Sequence, residues 1–417
     1  MRILWILPFV PWPIKVRSFN LIPRLARRHD IDLVCVARSP ADFARLEMIR
    51  QACSSVRTGN YSTMGALANC LRTLPTRMPL RIAYVSSNSM RRAVAEAIAR
   101  NHPNVIYVER WRALQYVPDD VEVPVICDPT DSMGLYNRRL MTAGLPWQRV
   151  LGLVEYLKFR RFEPRMAGRV AATVFCSRTD LEFVGRSAPG ANLVQVPNGV
   201  DCELFHFKTP GDEQPGGIFF SGNFLYAPNR DAVRFFLKEV FPQVRRAVPE
   251  ATLTIAGNGA RKFAERDLFS ISEGQFQTFD FAPELRPHLA RASVAIAPIR
   301  IGAGVSNKLL EAFAVGTPIV STRMACGDLP CRDGEHLFLA DDAVLFAERI
   351  VLLLRSPELR RAMAAKAQTF VRANYDWEIV ARTLEEVLQR AAFRESDLQS
   401  PTLEATSNAR AMAAAAD

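Results

Sequence analysis

Hydrophobic and polar positions along this chain fall into one repeated rhythm. A short apolar run comes first, then a polar loop, then apolar residues at three- and four-residue spacing. Residues 2–7 form a run of strand length that is apolar after Arg2, the signature of a strand buried on both faces. A loop over 8–17 follows, and Leu21, Ile22 and Leu25 then mark the inner side of a helix over 18–28. Residues 31–36 are apolar again apart from Asp32, which completes one strand–helix–strand unit. The pattern predicts helices over 41–52, 63–74 and 89–101 and strands over 55–57, 104–109 and 123–127. A long helix is expected over 146–169. Trp147, Val150, Leu151, Val154 and Leu157 lie on one side of it, interleaved with Lys158, Arg160, Arg161 and Arg165, so it either packs on the core or rests on an anionic surface.

After strands over 170–176 and 194–196, the segment 206–217 turns polar and rich in Pro and Gly and reads as a linker. A second series then begins. Strands are expected over 218–221, 252–256, 276–281, 294–297 and 319–321, with helices over 230–241, 284–292, 308–314, 341–354 and 357–373. A last helix runs from Tyr375-Asp376-Trp377 to about residue 392, and the Ser-, Thr- and Ala-rich tail from 393 is expected to be disordered. The fold class is therefore α/β, with two doubly wound Rossmann-like domains facing each other across a cleft. The expected boundaries are 1–205, a linker 206–217, a second domain 218–376, a helix 377–392 that crosses back to the first domain, and a tail 393–417.

Within that frame residues 299–322 carry the densest chemistry. A strand ends at Pro298, a Gly-containing loop (302–307) follows, and Lys308 and Glu311 lie in the first turns of the next helix. Free backbone N–H groups and the positive end of the dipole make such a helix start an anion site, and Lys308 adds a full charge. Glu311 is placed to accept hydrogen bonds from a sugar's hydroxyls. In the first domain the loop after the first strand lacks G-x-G-x-x-G, which argues against a nicotinamide or flavin reader. Lys15 and Arg17 stand there instead, either facing an anion or lying on the surface. Asp128 and Asp131 follow the strand over 123–127, at the edge where open sheets bind ligands, and are either functional or helix caps.

Composition narrows the partners. The net charge is +10, and residues 1–200 hold 28 Lys/Arg against 15 Asp/Glu, a net of +13 beside −3 for the remainder. A basic half suggests an anionic partner, although Arg-rich usage throughout the chain gives the same total. Zinc-finger spacing and RNA-reading aromatic motifs are absent, so nucleic acid is not expected. The apolar start has three prolines and no small-residue cleavage site, and it reads as a first strand and loop, not a signal peptide. The eight cysteines are scattered without CxxC and read as reduced thiols, with Cys326 and Cys331 the one place for a pair or a metal. A cytoplasmic protein is expected, with contact at the inner face of the plasma membrane through its basic half.

Seven ordered blocks resemble a family-four glycosyltransferase of the GT-B fold, over about residues 1–390. They are the Pro-rich first loop with Arg17, VFCSRTD (174–180), VPNGVD (196–201), SGNFLYAPNRDA (221–232), GAGVSNKLLEAFAVGTPIVST (302–322), DGEHLFLADD (333–342) and YDW (375–377). The resemblance implies retaining transfer from a nucleotide-diphosphate sugar without a cofactor or an obligatory metal. It places Glu311 on the donor ribose, Gly304, Val305, Ser306 and Asn307 at the diphosphate or sugar, and Gly222 and Asn223 at the phosphates. Phe281 and Ala282 meet the base. The acceptor, a sugar or a lipid-linked sugar, falls to the first domain beside Lys15, Arg17 and Asp128.

Three positions depart from the pattern. Ala303 replaces the first Glu of the paired-glutamate motif, and Asn223 and Pro228 replace the usual phosphate-binding Arg and Lys. The His near the transferred sugar has no counterpart, and Thr130-Asp131 fills its place. The catalytic assignments are accordingly Lys308, at the leaving diphosphate, and Asp131. A non-catalytic nucleotide-sugar-binding scaffold, or another GT-B enzyme such as a nucleotide-sugar epimerase, is the alternative reading.

Overall fold

The computed structural model describes residues 1–13, 15–143, 146–209, 211–267, 276–280, 285–301 and 307–393. The strands, in chain order, are β1 (Arg2–Leu7), β2 (Asp30–Val36), β3 (Ser55–Gly59), β4 (Val105–Glu109), β5 (Val125–Thr130), β6 (Ala172–Phe175), β7 (Leu193–Gln195), β8 (Gly217–Ser221), β9 (Thr252–Ala256), β10 (Phe276–Phe279), β11 (Val294–Ala297), β12 (Ile319–Ser321) and β13 (Phe338–Leu339). They form two parallel sheets, ordered β3-β2-β1-β4-β5-β6-β7 and β10-β9-β8-β11-β12-β13. Each is doubly wound, with the order reversing between β1 and β4 in the first and between β8 and β11 in the second. Ligands of such sheets sit at the carboxyl ends of the strands beside that reversal. Helices cover both faces: β11 is apolar and buried throughout, and β1 and β4 are apolar and buried apart from the half-buried Arg2 at the start of β1 and the buried Glu109 at the end of β4.

The last helix, Trp377–Ala392, leaves the second sheet and completes the core of the first. Trp377, Val380, Ala381, Leu384 and Leu388 are buried with Leu21, Ile22 and Leu25. Its entry is tied down by the backbone, with the Val200 N–H donating to Tyr375 O at 2.8 Å and the Trp377 N–H to Val200 O at 3.1 Å. A Cβ on Gly199 would lie 2.8 Å from the Trp377 ring, so only glycine lets the indole lie flat on the chain there. The VPNGVD and YDW blocks are thus two halves of one crossing.

Three expectations change against the structure. The strand predicted over 123–127 runs on to Thr130, across a register shift against β6, so Asp128 lies inside β5 and not beyond it. The segment 206–217 is anchored: Glu213 accepts from Lys208 Nζ at 3.0 Å and pairs with Arg360, and Phe207 lies against Gly316. In the helix Pro146–Ala167 the buried side is Gly152, Glu155, Phe159, Glu163 and Ala167, while Trp147, Val150, Leu151 and Leu157 face outward. The apolar stripe misleads there because the inward glutamates have backbone N–H groups to satisfy.

Candidate active site

In the second sheet the site geometry starts from two glycines at neighbouring strand ends. A Cβ on Gly257 would fall 2.0 Å from Gly222 O, at φ +134°, and one on Gly222 would fall 2.8 Å from Asn229 Cγ. Neither position tolerates a side chain, so the loops after β8 and β9 press together. Asn229, buried at the start of the helix Ala227–Phe235, holds this loop by donating Nδ2–H to Asn223 O at 2.9 Å. Its Oδ1 accepts from Lys308 Nζ at 3.1 Å. Asn223 folds back on itself, its Oδ1 accepting from the Leu225 N–H at 3.0 Å.

Lys308 lies in the first turn of the helix Asn307–Val315, its ammonium 4.7 Å from the centre of the Phe220 ring. Burial pushes its pKa down to about 8, although the Glu311 carboxylate pulls the other way. Burial likewise pushes Glu311 up to about 7, and Lys308 offsets only part of that. No described residue donates a hydrogen bond to the Glu311 carboxylate, on which the Lys308 charge acts. Two further cations on this side, Arg230 and Arg300, are both occupied. Arg230 donates to Phe224 O at 2.6 Å, and Arg300 holds Asp231 through two nitrogens. Gly304, Val305, Ser306, Phe281 and Ala282, together with Ala303, lie outside the described residues.

On the facing sheet, Arg17 and Asp128 form a buried ion pair (2.6 Å). Asp128 also accepts from the Tyr107 hydroxyl and from the Thr130 N–H at 2.8 Å. Arg17 spends a second nitrogen on Pro197 O (2.9 Å) and Asn198 Oδ1 (3.3 Å). Asn198 in turn donates to Asn307 Oδ1 at 3.4 Å, so the pair supports the start of the helix Asn307–Val315. Arg17 and Asp128 are committed to each other, which leaves Lys15 and Asp131 nearer the opening.

Asp131 is partly exposed, with Arg110 3.6 Å away, yet burial and the neighbouring Asp180 and Asp128 carboxylates win and raise its pKa to about 6. Its loop is fixed from below. Glu163 accepts from Ser132 Oγ (2.7 Å), Met133 N (2.7 Å), Gly134 N (3.1 Å) and Trp111 Nε1 (3.0 Å), and Asp180 takes the Ser132 N–H at 2.9 Å. Thr130 at φ +72° and Arg110 at φ +73° flank this point. Side chains other than glycine pay roughly 1–3 kcal/mol in such backbone, and strain of this kind gathers at working sites. From the second domain Tyr226 comes near the same place, its phenol pushed up by burial and by the nearby Tyr136 and Asp131.

Asn198, Asn229, Arg110 and Tyr226 were not singled out from the sequence. Asn198 and Asn229 lie inside the quoted blocks VPNGVD and SGNFLYAPNRDA, which was the available signal. Arg110 owes its place to a backbone angle that no residue pattern announces. The thiols of Cys326 and Cys331 are free, with their Sγ atoms 3.1 Å apart. A cavity of about 960 Å³ beside Arg77, Arg161 and Arg165 touches none of the residues above.

Residues 215–356 match the family model for glycosyl transferases group 1. The chain is a glycosyltransferase with a group 1 domain. Over 355 residues this glycosyltransferase is 22% identical to an uncharacterized 44.6 kDa protein in the cps region of Klebsiella pneumoniae, covering 84% of this chain and 88% of that one. It is 28% identical over 250 residues to the phosphatidyl-myo-inositol mannosyltransferase of Mycobacterium leprae, covering 58% of this chain and 63% of that protein. The HepE protein of Anabaena, solved in complex with UDP-glucose, superposes with a TM-score of 0.66 at 14% identity, over 93% of this chain and 99% of that one. At that identity the likeness shows the fold, which is GT-B: two Rossmann-like domains with their strand ends turned toward one cleft. Among the described residues no helix is long and apolar enough to cross a membrane.

Proposed function

We propose that this glycosyltransferase moves a sugar, with retention of anomeric configuration, from a nucleotide-diphosphate sugar to an acceptor of a cell-surface polysaccharide or glycolipid. The observation that carries the reading is Lys308: a desolvated ammonium at a helix start, held by Asn229 over the Phe220 ring near the end of β8. The cps-region relative and the phosphatidyl-myo-inositol mannosyltransferase support the product class, and the UDP-glucose complex of HepE supports the donor class. In the reaction the bond from the anomeric carbon to the diphosphate breaks and one to an acceptor oxygen forms. The acceptor hydroxyl proton passes to the leaving diphosphate. Lys308 and the amide dipoles of its helix stabilise the charge that develops on that group. Glu311 holds the donor ribose, Gly222 and Asn223 border the phosphates, and Gly304, Val305, Ser306 and Asn307 meet the diphosphate or sugar. Phe281 and Ala282 lie at the base. Asp131, ionised above about pH 6, orients the attacking hydroxyl. No obligatory metal takes part.

Thermal-shift titration with UDP-, GDP-, ADP- and dTDP-sugars identifies the donor, since a ligand of the folded state alone raises its stability with concentration. With the donor found, Lys308→Ala weakens nucleotide-diphosphate binding by roughly 1.5–3 kcal/mol, the scale of a charge-assisted hydrogen bond. Glu311→Ala weakens it also; equal binding by that variant and wild type would remove the ribose role. The pH profile has a definite sign. Lys308 in the free enzyme loses its proton above about pH 8, while a bound diphosphate favours the charged form. Affinity therefore falls as pH rises through 8, with proton uptake on binding, and calorimetry on Lys308→Ala shows neither effect.

The outward stripe of Trp147, Val150, Leu151, Leu153 and Leu157 supports peripheral contact with an anionic membrane. Beside it lie the exposed Met64, Leu67, Leu71 and Leu74, and Lys158 joins the two segments by donating to Thr73 O at 2.7 Å. Sedimentation with vesicles containing phosphatidylglycerol is expected at low salt and reduced at high salt; no binding at either would remove the membrane from the proposal.

A further inference from the structure

The acceptor side of the cleft holds more positive charge than its carboxylates neutralise. The loop after β1 and the loop after β4 meet there, because β1 and β4 are paired neighbours at the point where the sheet order reverses. Lys15 comes from the first loop, and Arg110 and Arg112 from the second. Arg81, whose guanidinium lies 5.3 Å from the Tyr136 ring, stands beside them. Each of these charges acts on another: Arg110 and Arg112 on Lys15, and Arg110 and Arg81 on Arg112.

The acids nearby are few. Asp131 is shared with Arg110 at 3.6 Å, Glu109 is buried beneath the loop, and Asp128 is taken by Arg17. Glu155 accepts the Arg81 backbone N–H at 3.0 Å. Arg112 has no carboxylate within ion-pair distance among the described residues, and its Nε is buried without a hydrogen-bond partner. Like charges held together with an unused donor among them cost stability unless an anion joins them.

We propose that Lys15, Arg81, Arg110 and Arg112 form an oxyanion subsite that takes a phosphoryl group of the acceptor. Four cations suit a multiply charged phosphate or diphosphate; a single carboxylate would be satisfied by one guanidinium. The subsite lies beside Asp131 and Tyr226, so a phosphorylated acceptor held there presents its hydroxyl toward the donor. The inference rests on the transferase reading only for the word acceptor; the anion site itself does not need it.

The test is calorimetric titration of inorganic pyrophosphate into the full chain while a saturating nucleoside diphosphate fills the donor side. A saturable second site is expected. Arg112→Gln and Lys15→Gln each weaken it at least tenfold, with nucleotide affinity unchanged and the thermal midpoint of the free protein no lower than wild type. Pyrophosphate that fails to bind beside the nucleotide, or binds Arg112→Gln as tightly as wild type, overturns the proposal. If no nucleoside diphosphate binds at all, the transferase reading fails separately, and pyrophosphate titrated into Lys308→Ala still reads this site. Competition by farnesyl diphosphate and by glucose 1-phosphate then separates a lipid-linked phosphate from a soluble one, the tighter competitor naming the source.

Discussion

Replacing Arg17 by Ala is expected to destabilise the chain by about 3–5 kcal/mol, because it strands a carboxylate in the interior. Asp128 is fully buried, and among the described residues Arg17 is its only cationic partner, at 2.6 Å. The Tyr107 hydroxyl and the Thr130 N–H would remain, but neither carries charge. The pair itself need not be strongly stabilising, since desolvating two ions costs much of what their attraction returns. The prediction is therefore asymmetric. Arg17→Met costs nearly as much as Arg17→Ala, whereas Arg17→Met combined with Asp128→Asn recovers part of the loss. Asn keeps an acceptor for the Thr130 N–H and brings no charge. Urea unfolding midpoints at constant m-value measure all three. A loss below about 1 kcal/mol for the single variants would mean that Asp128 finds water or takes up a proton at little cost. Nucleotide affinity should fall alongside stability, because the Arg17–Asn198–Asn307 chain ends at the donor helix.

Such a residue shows what the amino-acid pattern reveals and what it hides. The apolar runs of β1, β4, β8 and β11 are legible because a strand buried on both faces is apolar at nearly every position. The two doubly wound sheets follow from those runs and the helical spacing between them. Lys308 and Glu311 are legible because their chemistry follows from a local spacing at one helix start. Arg17 and Asp128 are visible as charges near strand ends, but nothing local says that they face each other across 111 positions. The same holds for Glu155 and Glu163. An inward glutamate on the helix Pro146–Ala167 reads as a solvated face until the backbone N–H groups it caps are brought to it by the fold. Arg110 and Thr130 depend on backbone angles forced by the turn after β4 and the bulge in β5, and composition carries no trace of these.

Trp377→Ala is expected to cost about 3–5 kcal/mol, the usual loss for emptying a large aromatic site in a core. Its effect should be confined to one part of the molecule. Trp377 is buried with Leu21, Ile22 and Leu25 in the core of the first sheet, yet it is reached by a chain arriving from the second. If the last helix is a structural part of the first domain, the transition of that domain moves to lower temperature while that of the second stays in place. Calorimetry resolves the two, and hydrogen exchange assigns them. The ion pairs along the same helix set a useful contrast. Glu385 accepts from Arg28 at 2.6 Å and lies 2.6 Å from His29 Nε2, and Glu378 accepts from Arg27 at 2.8 Å. These pairs lie at or near the surface, where double-mutant cycles on exposed pairs give about 0.2–1 kcal/mol. Glu378→Gln should therefore shift the first transition only slightly. If it matched Trp377→Ala, charge and not the indole would be holding the crossing. An equal shift of both transitions in Trp377→Ala would show that the domains unfold as one unit, with the crossing helix as their common element.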